Sequence, residues 1–236
     1  MRYYQLVKHD NKATLNIFGD IVDDVYEDGV CALSIAYDLE QLGPVDEIDV
    51  YINSYGGSVA QGFSIYNQLK NHPAKVRTIC NGFACSIASV IFLAGDERIM
   101  QGASLLMIHN PFCMTMGNAS ELRKTADDLD KMAQVSIDLY CQTTGLDEQT
   151  IKDMMDKETW LSSSDALELG FATKVENKNE VDEPLKIVQS VRTSLVNKIL
   201  NEQQMMVSDV PMEPQEEQKE DIAPNNVLNN FLKIFK

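Results

Sequence analysis

Residues 80–95 read CNGFACSIASVIFLAG, and the fold turns on this stretch. The run before it, KVRTIC at 75–80, is β-rich and ends at Asn81-Gly82. An apolar pattern begins at once with Ala84, Ile87, Ala88, Ile91, Phe92 and Ala94, spaced as a buried helix. Ser86 falls in the first turn of that helix. A strand that turns sharply into a buried helix presents a hydroxyl at the helix mouth. The free N–H groups and the positive end of the dipole stabilise developing negative charge there. A plainer role for a serine at this position is a cap or a small packing residue.

Outward from this stretch, strand and helix patterns alternate. Residues 13–19 alternate as a first strand, and apolar positions over 22–42 fit a helix that stops at Gly43-Pro44. EIDVYIN at 47–53 is a short strand broken at Ser54-Tyr55-Gly56-Gly57, and a helix follows over 58–71. Two more short strands cover 98–100 and 104–108. Strand and helix alternating at this spacing predict an α/β fold with a mostly parallel sheet. Residues 118–144 give the longest helix, with Leu122, Ala126, Leu129, Ala133, Ile137 and Tyr140 on one stripe. The other face is charged, so the stripe needs a partner, either its own domain or another subunit. Short helices at 147–155 and 164–169 and a strand at 171–175 complete a domain over residues 1–176.

Beyond it, residues 177–236 form an acidic extension. An amphipathic helix is expected over about 185–201. Residues 202–224 hold seven acids, one lysine and three prolines, a composition that builds no core and predicts a disordered, dispensable tail.

Composition narrows the function. A net charge of −16 argues against a nucleic-acid backbone as partner. The five cysteines lack CxxC spacing and point to buried thiols in a reducing compartment, with neither disulfide nor zinc. The N-terminus does not read as a signal peptide, and no apolar run approaches ~20 residues, so a cytoplasmic protein with no membrane span is expected.

Three sites then combine. The glycine turn at Gly56-Gly57 lets backbone N–H groups approach a ligand closely. Ser86 supplies a hydroxyl, and His109 leaves an apolar strand just before Pro111. A hydroxyl, a base and an oxyanion donor set, each at a strand end, are the inventory for acyl transfer, which needs no metal or cofactor.

At these residues the chain resembles the ClpP-type serine peptidases. INSYGGSVAQGFSIYNQL, TICNGFACSIASVIFLAGDERIM and LLMIHNP are similar to that family's three signature blocks, in its order and at nearly its spacing. The resemblance implies a ClpP/crotonase-like spiral of ββα units. It implies Ser86 as nucleophile, His109 as general base, and the N–H groups of Gly57 and Ile87 as oxyanion hole. It further implies a homo-oligomer of stacked, commonly heptameric rings, joined through the long helix, acting on polypeptide substrates.

Two features depart from the housekeeping members. The arm before the first predicted strand is short, which leaves docking of an AAA+ ATPase open. IKDMMDKETWLS at 151–162 is similar to phage and prophage members that mature viral heads, and the acidic tail fits that branch. The expected function is therefore a serine endopeptidase of phage capsid maturation. The alternatives are an ATPase-partnered subunit, a non-catalytic ring or scaffold component, and a crotonase-type acyl-CoA enzyme.

The family's Asp position is placed on Met154. That leaves Asp156, Asp153 or no carboxylate as third member of a triad. Asp156, on the loop beyond the predicted helix, is favoured.

Overall fold

The computed structural model describes residues 4–176, except 24, 26 and 27. The expected amphipathic helix and acidic tail lie outside the described residues. The chain opens with a hairpin of β1 (Tyr4–His9) and β2 (Lys12–Phe18), joined at Asp10-Asn11, where Asp10 takes a φ of 53°. A two-residue Asp-Asn turn suits the twist of a tight hairpin. The short arm expected before the first strand thus holds a strand of its own. Next come α1 (Ala32–Leu42), β3 (Glu47–Ser54), α2 (Val59–Lys70), β4 (Lys75–Cys85) and α3 (Ile87–Phe92). The chain continues through β5 (Glu97–Gln101), β6 (Leu105–Ile108), α4 (Ala119–Thr144), α5 (Glu148–Asp156), β7 (Thr159–Ser162), α6 (Ser163–Glu168) and β8 (Lys174–Glu176).

The main sheet runs β1-β2-β3-β4-β5-β8 and is parallel except for β1. Each β–α unit buries the same strand face. Ala13, Leu15 and Ile17 on β2 and Ile48, Val50 and Ile52 on β3 are buried with Ile35, Ile65, Leu69 and Ile91 from the helices. The mixed α/β class expected from the alternating pattern is the class observed.

Two elements differ from the bounds expected of them. The helix expected over 22–42 begins only at Ala32. Before it, Ile21 bridges both Val30 and Gly57. The strand expected to stop at Asn81-Gly82 continues to Cys85. Arg77–Cys80 pair with β5, whereas Phe83–Cys85 pair with β6, which in turn pairs antiparallel with β7. Asn-Gly is therefore the place where β4 changes partners. The amide of Phe83 donates to Asn53 Oδ1 there, at 3.1 Å.

Candidate active site

β4 ends at Cys85 and α3 begins at Ile87, so Ser86 alone makes the turn between them. Its φ of 55° and ψ of −130° lie outside the usual regions, a conformation that costs about 1–3 kcal/mol and clusters at functional sites. Its N–H donates to Met107 O at 2.9 Å, which ties the turn to β6. One turn into α3, Ser89 Oγ donates to Ser86 O at 2.6 Å and accepts from the buried Tyr140 hydroxyl of α4 at 2.7 Å. The hydroxyl of Ser86 is left to face His109, whose Nε2 lies 2.8 Å from Oγ. A serine proton shared with Nε2 places the ring's own proton on Nδ1. Burial holds the imidazole below its ordinary pKa of 6.5, opposed by the charge of Glu158.

The glycine turn packs directly on the nucleophile. A Cβ on Gly56 would meet Ser86 Cβ at 2.7 Å and Cys85 O at 2.8 Å, and one on Gly57 would meet Ile21 O at 2.1 Å. Both glycines take positive φ, 101° and 139°, so no side chain fits on either count. Ile21 donates to Gly56 O and accepts from Ser58 N, each at 2.8 Å. That parallel bridge uses the two peptides flanking Gly57 and turns the N–H of Gly57 to the opposite side. Ile87 N lies only 3.2 Å from the Cβ position of Gly56. It opens α3, where the first N–H groups have no partner within the helix. The structure thus brings Ser86, His109, Gly57 and Ile87 together at one sheet end.

A profile of the Clp protease family matches residues 3–179. The chain belongs to the Clp protease family. It is 32% identical over 163 residues to the ATP-dependent Clp protease proteolytic subunit of Porphyromonas gingivalis, covering 68% of this chain and 72% of the relative. The fold is similar to that of a ClpP1 mutant from Listeria monocytogenes, with a TM-score of 0.61 and 25% identity over 70% of this chain and 92% of that one. Membership makes the chain a peptidase, and it bears out the resemblance seen in the three sequence blocks.

Within this Clp protease chain, the carboxylate near the base is not the one favoured from sequence. Asp156 is the last residue of α5 rather than part of a loop, and its Oδ1 accepts from Asn110 Nδ2 at 2.7 Å. Asp153 accepts from Gln149 Nε2 at 2.7 Å, and Met154 is buried. Asp156 thus reaches the neighbour of the base instead of the base. Glu158, which the sequence did not single out, is the carboxylate whose charge acts on His109. β7 runs antiparallel to β6 with Thr159 opposite Ile108, and one further step in that register brings Glu158 near His109, whose ring feels its charge. Glu158 has a φ of 48°, and its Oε1 accepts from Trp160 Nε1 at 3.3 Å. Pairing TWLS with LLMI as antiparallel strands was the signal that points to it.

Cys85, next to the nucleophile, is buried and its thiol is pushed up to about 12, chiefly by burial. A thiol held that high carries almost no thiolate near neutrality. Of the other cysteines, Cys31 and Cys80 are buried, Cys141 is half-buried and Cys113 is exposed. Past His109, a cavity of about 580 Å³ opens between Asn110, Pro111, Leu129, Ile137 and Asp156. Among the described residues, no helix is long and apolar enough to cross a membrane.

Proposed function

We propose that the chain is a serine endopeptidase in which Ser86 attacks the peptide carbonyl. His109 accepts the Ser86 proton at Nε2 and returns it to the leaving amine. The N–H groups of Gly57 and Ile87 bind the tetrahedral oxyanion, each worth about 2.7–4 kcal/mol. Glu158 stabilises the imidazolium and orients the ring, and Asp156 positions the adjoining loop through Asn110. The 2.8 Å contact between Ser86 Oγ and His109 Nε2 carries this reading. The cavity beyond His109 receives the substrate side chain nearest the cut.

The subunits form homo-oligomeric rings in which the sites face an inner chamber. The support is a set of apolar side chains that α4 leaves open, Leu122, Met132 and Val135, each more than 40% exposed. The physiological role is capsid maturation in phage heads, on the grounds of the 151–162 segment and the acidic extension. A second role, as a peptidase fed by an AAA+ ATPase, is favoured by the name of the Porphyromonas relative. Stimulation of protein degradation by such an ATPase would select the second role.

The test of the chemistry is cleavage of unstructured peptides by matched assemblies. Ser86→Ala abolishes cleavage, whereas Cys85→Ala retains most of it. An active Ser86→Ala beside a folded but dead Cys85→Ala rejects the assignment.

A further inference from the structure

The strands that carry His109 and Glu158 also carry a row of aromatic rings. Side chains alternate along a strand. Phe83 and Cys85 therefore share one face of β4. Leu105 and Met107 lie opposite them on β6, with His109 next in that series. On β7, Trp160 lies opposite Met107, and Glu158 shares its face two residues earlier. The rings of Tyr55 and Phe83 lie 5.0 Å apart, tilted by 30°, and Phe83 meets Trp160 edge-on at 6.2 Å. Tyr55 immediately precedes Gly56, the residue whose backbone presses on Ser86. The row therefore runs from the glycine turn to the strand beside the base. It is open to solvent, with Tyr55 63% and Trp160 38% exposed. It is also held in place, because Glu158 accepts from the indole of Trp160. An exposed apolar patch of contiguous rings marks a binding surface.

We infer that Tyr55, Phe83 and Trp160 form a substrate subsite for an aromatic or branched aliphatic side chain about three residues from the scissile bond. Phe83 stands three residues before Ser86, and an extended peptide rises about 3.3 Å per residue, so a like number of substrate residues spans the gap. The occupant is the substrate because the row starts beside the oxyanion turn and shares its sheet face with the general base. A peptide extended through the cleft crosses it. Flat rings suit such a side chain because offset and edge-on ring contacts add to the area they bury. The inference rests on the peptidase reading.

The experiment uses the assembled full-length enzyme and a peptide library varied up to four residues on either side of the cut. The wild type favours Phe or Leu over Ser by about tenfold at one position near the third residue. Phe83→Ala erases that preference through KM while the rate of Ser86 labelling by a fluorophosphonate stays unchanged, and Phe83→Leu restores part of it. A wild type that cleaves without such a preference, or a preference that survives in Phe83→Ala, overturns the subsite. Dissociation of the oligomer by Phe83→Ala, read by sedimentation, also overturns it and makes the row a subunit contact. A wild type that neither cleaves nor labels defeats the peptidase reading, and the subsite with it.

Discussion

Helices α3 and α4 are built on opposite terms. All six residues of α3 are buried, and only Ser86 at its mouth faces the catalytic cleft. α4 has 26 residues, of which Ser136, Ile137, Tyr140 and Thr144 alone are buried. Its N-terminal end is held by a capping box at Asn118 and Glu121, not by packing. The two are joined where Tyr140 grips Ser89, one turn from the nucleophile. A helix buried on every side fixes a reacting atom, because any shift must move the core around it. A capped helix that leaves large apolar side chains such as Leu122, Met132 and Val135 exposed offers surface to a partner. On the proposed reading the chain separates a rigid support for chemistry from an exposed surface for assembly, and substitutions are expected to break each alone.

The largest effect is expected at the mouth of α3. Ser86→Ala lowers kcat by about 10⁶-fold, measured by peptide hydrolysis, while sedimentation stays that of the wild type. Loss of assembly in that variant would show that the two helices are not independent. Glu158→Gln follows, with a loss of up to about 10⁴-fold in kcat/KM, whereas Asp156→Asn loses less than about tenfold. The reverse order would return the third position to Asp156.

Stability sharpens the same contrast. Ile91→Ala in α3 costs about 2–5 kcal/mol by denaturant unfolding, since Ile91 is fully buried. Leu122→Ala in α4 stays within about 0.5 kcal/mol for the isolated subunit, yet Leu122→Glu with Val135→Glu dissociates the oligomer. The smallest effect is a pH shift. A protonated His109 cannot take the Ser86 proton, so kcat/KM falls as pH drops through its pKa. Burial lowers that pKa, which places the acid limb below 6.5. Glu158 raises it, so Glu158→Gln moves the limb lower still, read from a pH–rate profile.

The elements that could be read from sequence are those with a local cause. Strand β3 and helix α2 show their own periodicity, and α4 and α6 carry caps at Asn118 and Ser162. Ser86 was legible because the strand and buried helix around it are continuous in the chain. What was misread depends on pairing between distant segments. The loop before α1 has helical spacing, but Ile21 is committed to Gly57 and Val30. Asn81-Gly82 reads as a stop, but β4 gains a second partner in β6 there. Glu158 comes near His109 through the register of β7 on β6, which spacing along the chain does not reveal, so the sequence favoured Asp156 instead.

Covalent capture of the nucleophile tests the role of Ser86 most directly. The assembled wild-type protein is treated with a fluorophosphonate, digested and mapped by mass spectrometry. One modified residue, Ser86, is expected, with labelling lost in His109→Ala and undiminished in Cys85→Ala. A label on another residue, or labelling of Ser86 that is indifferent to His109, would contradict it.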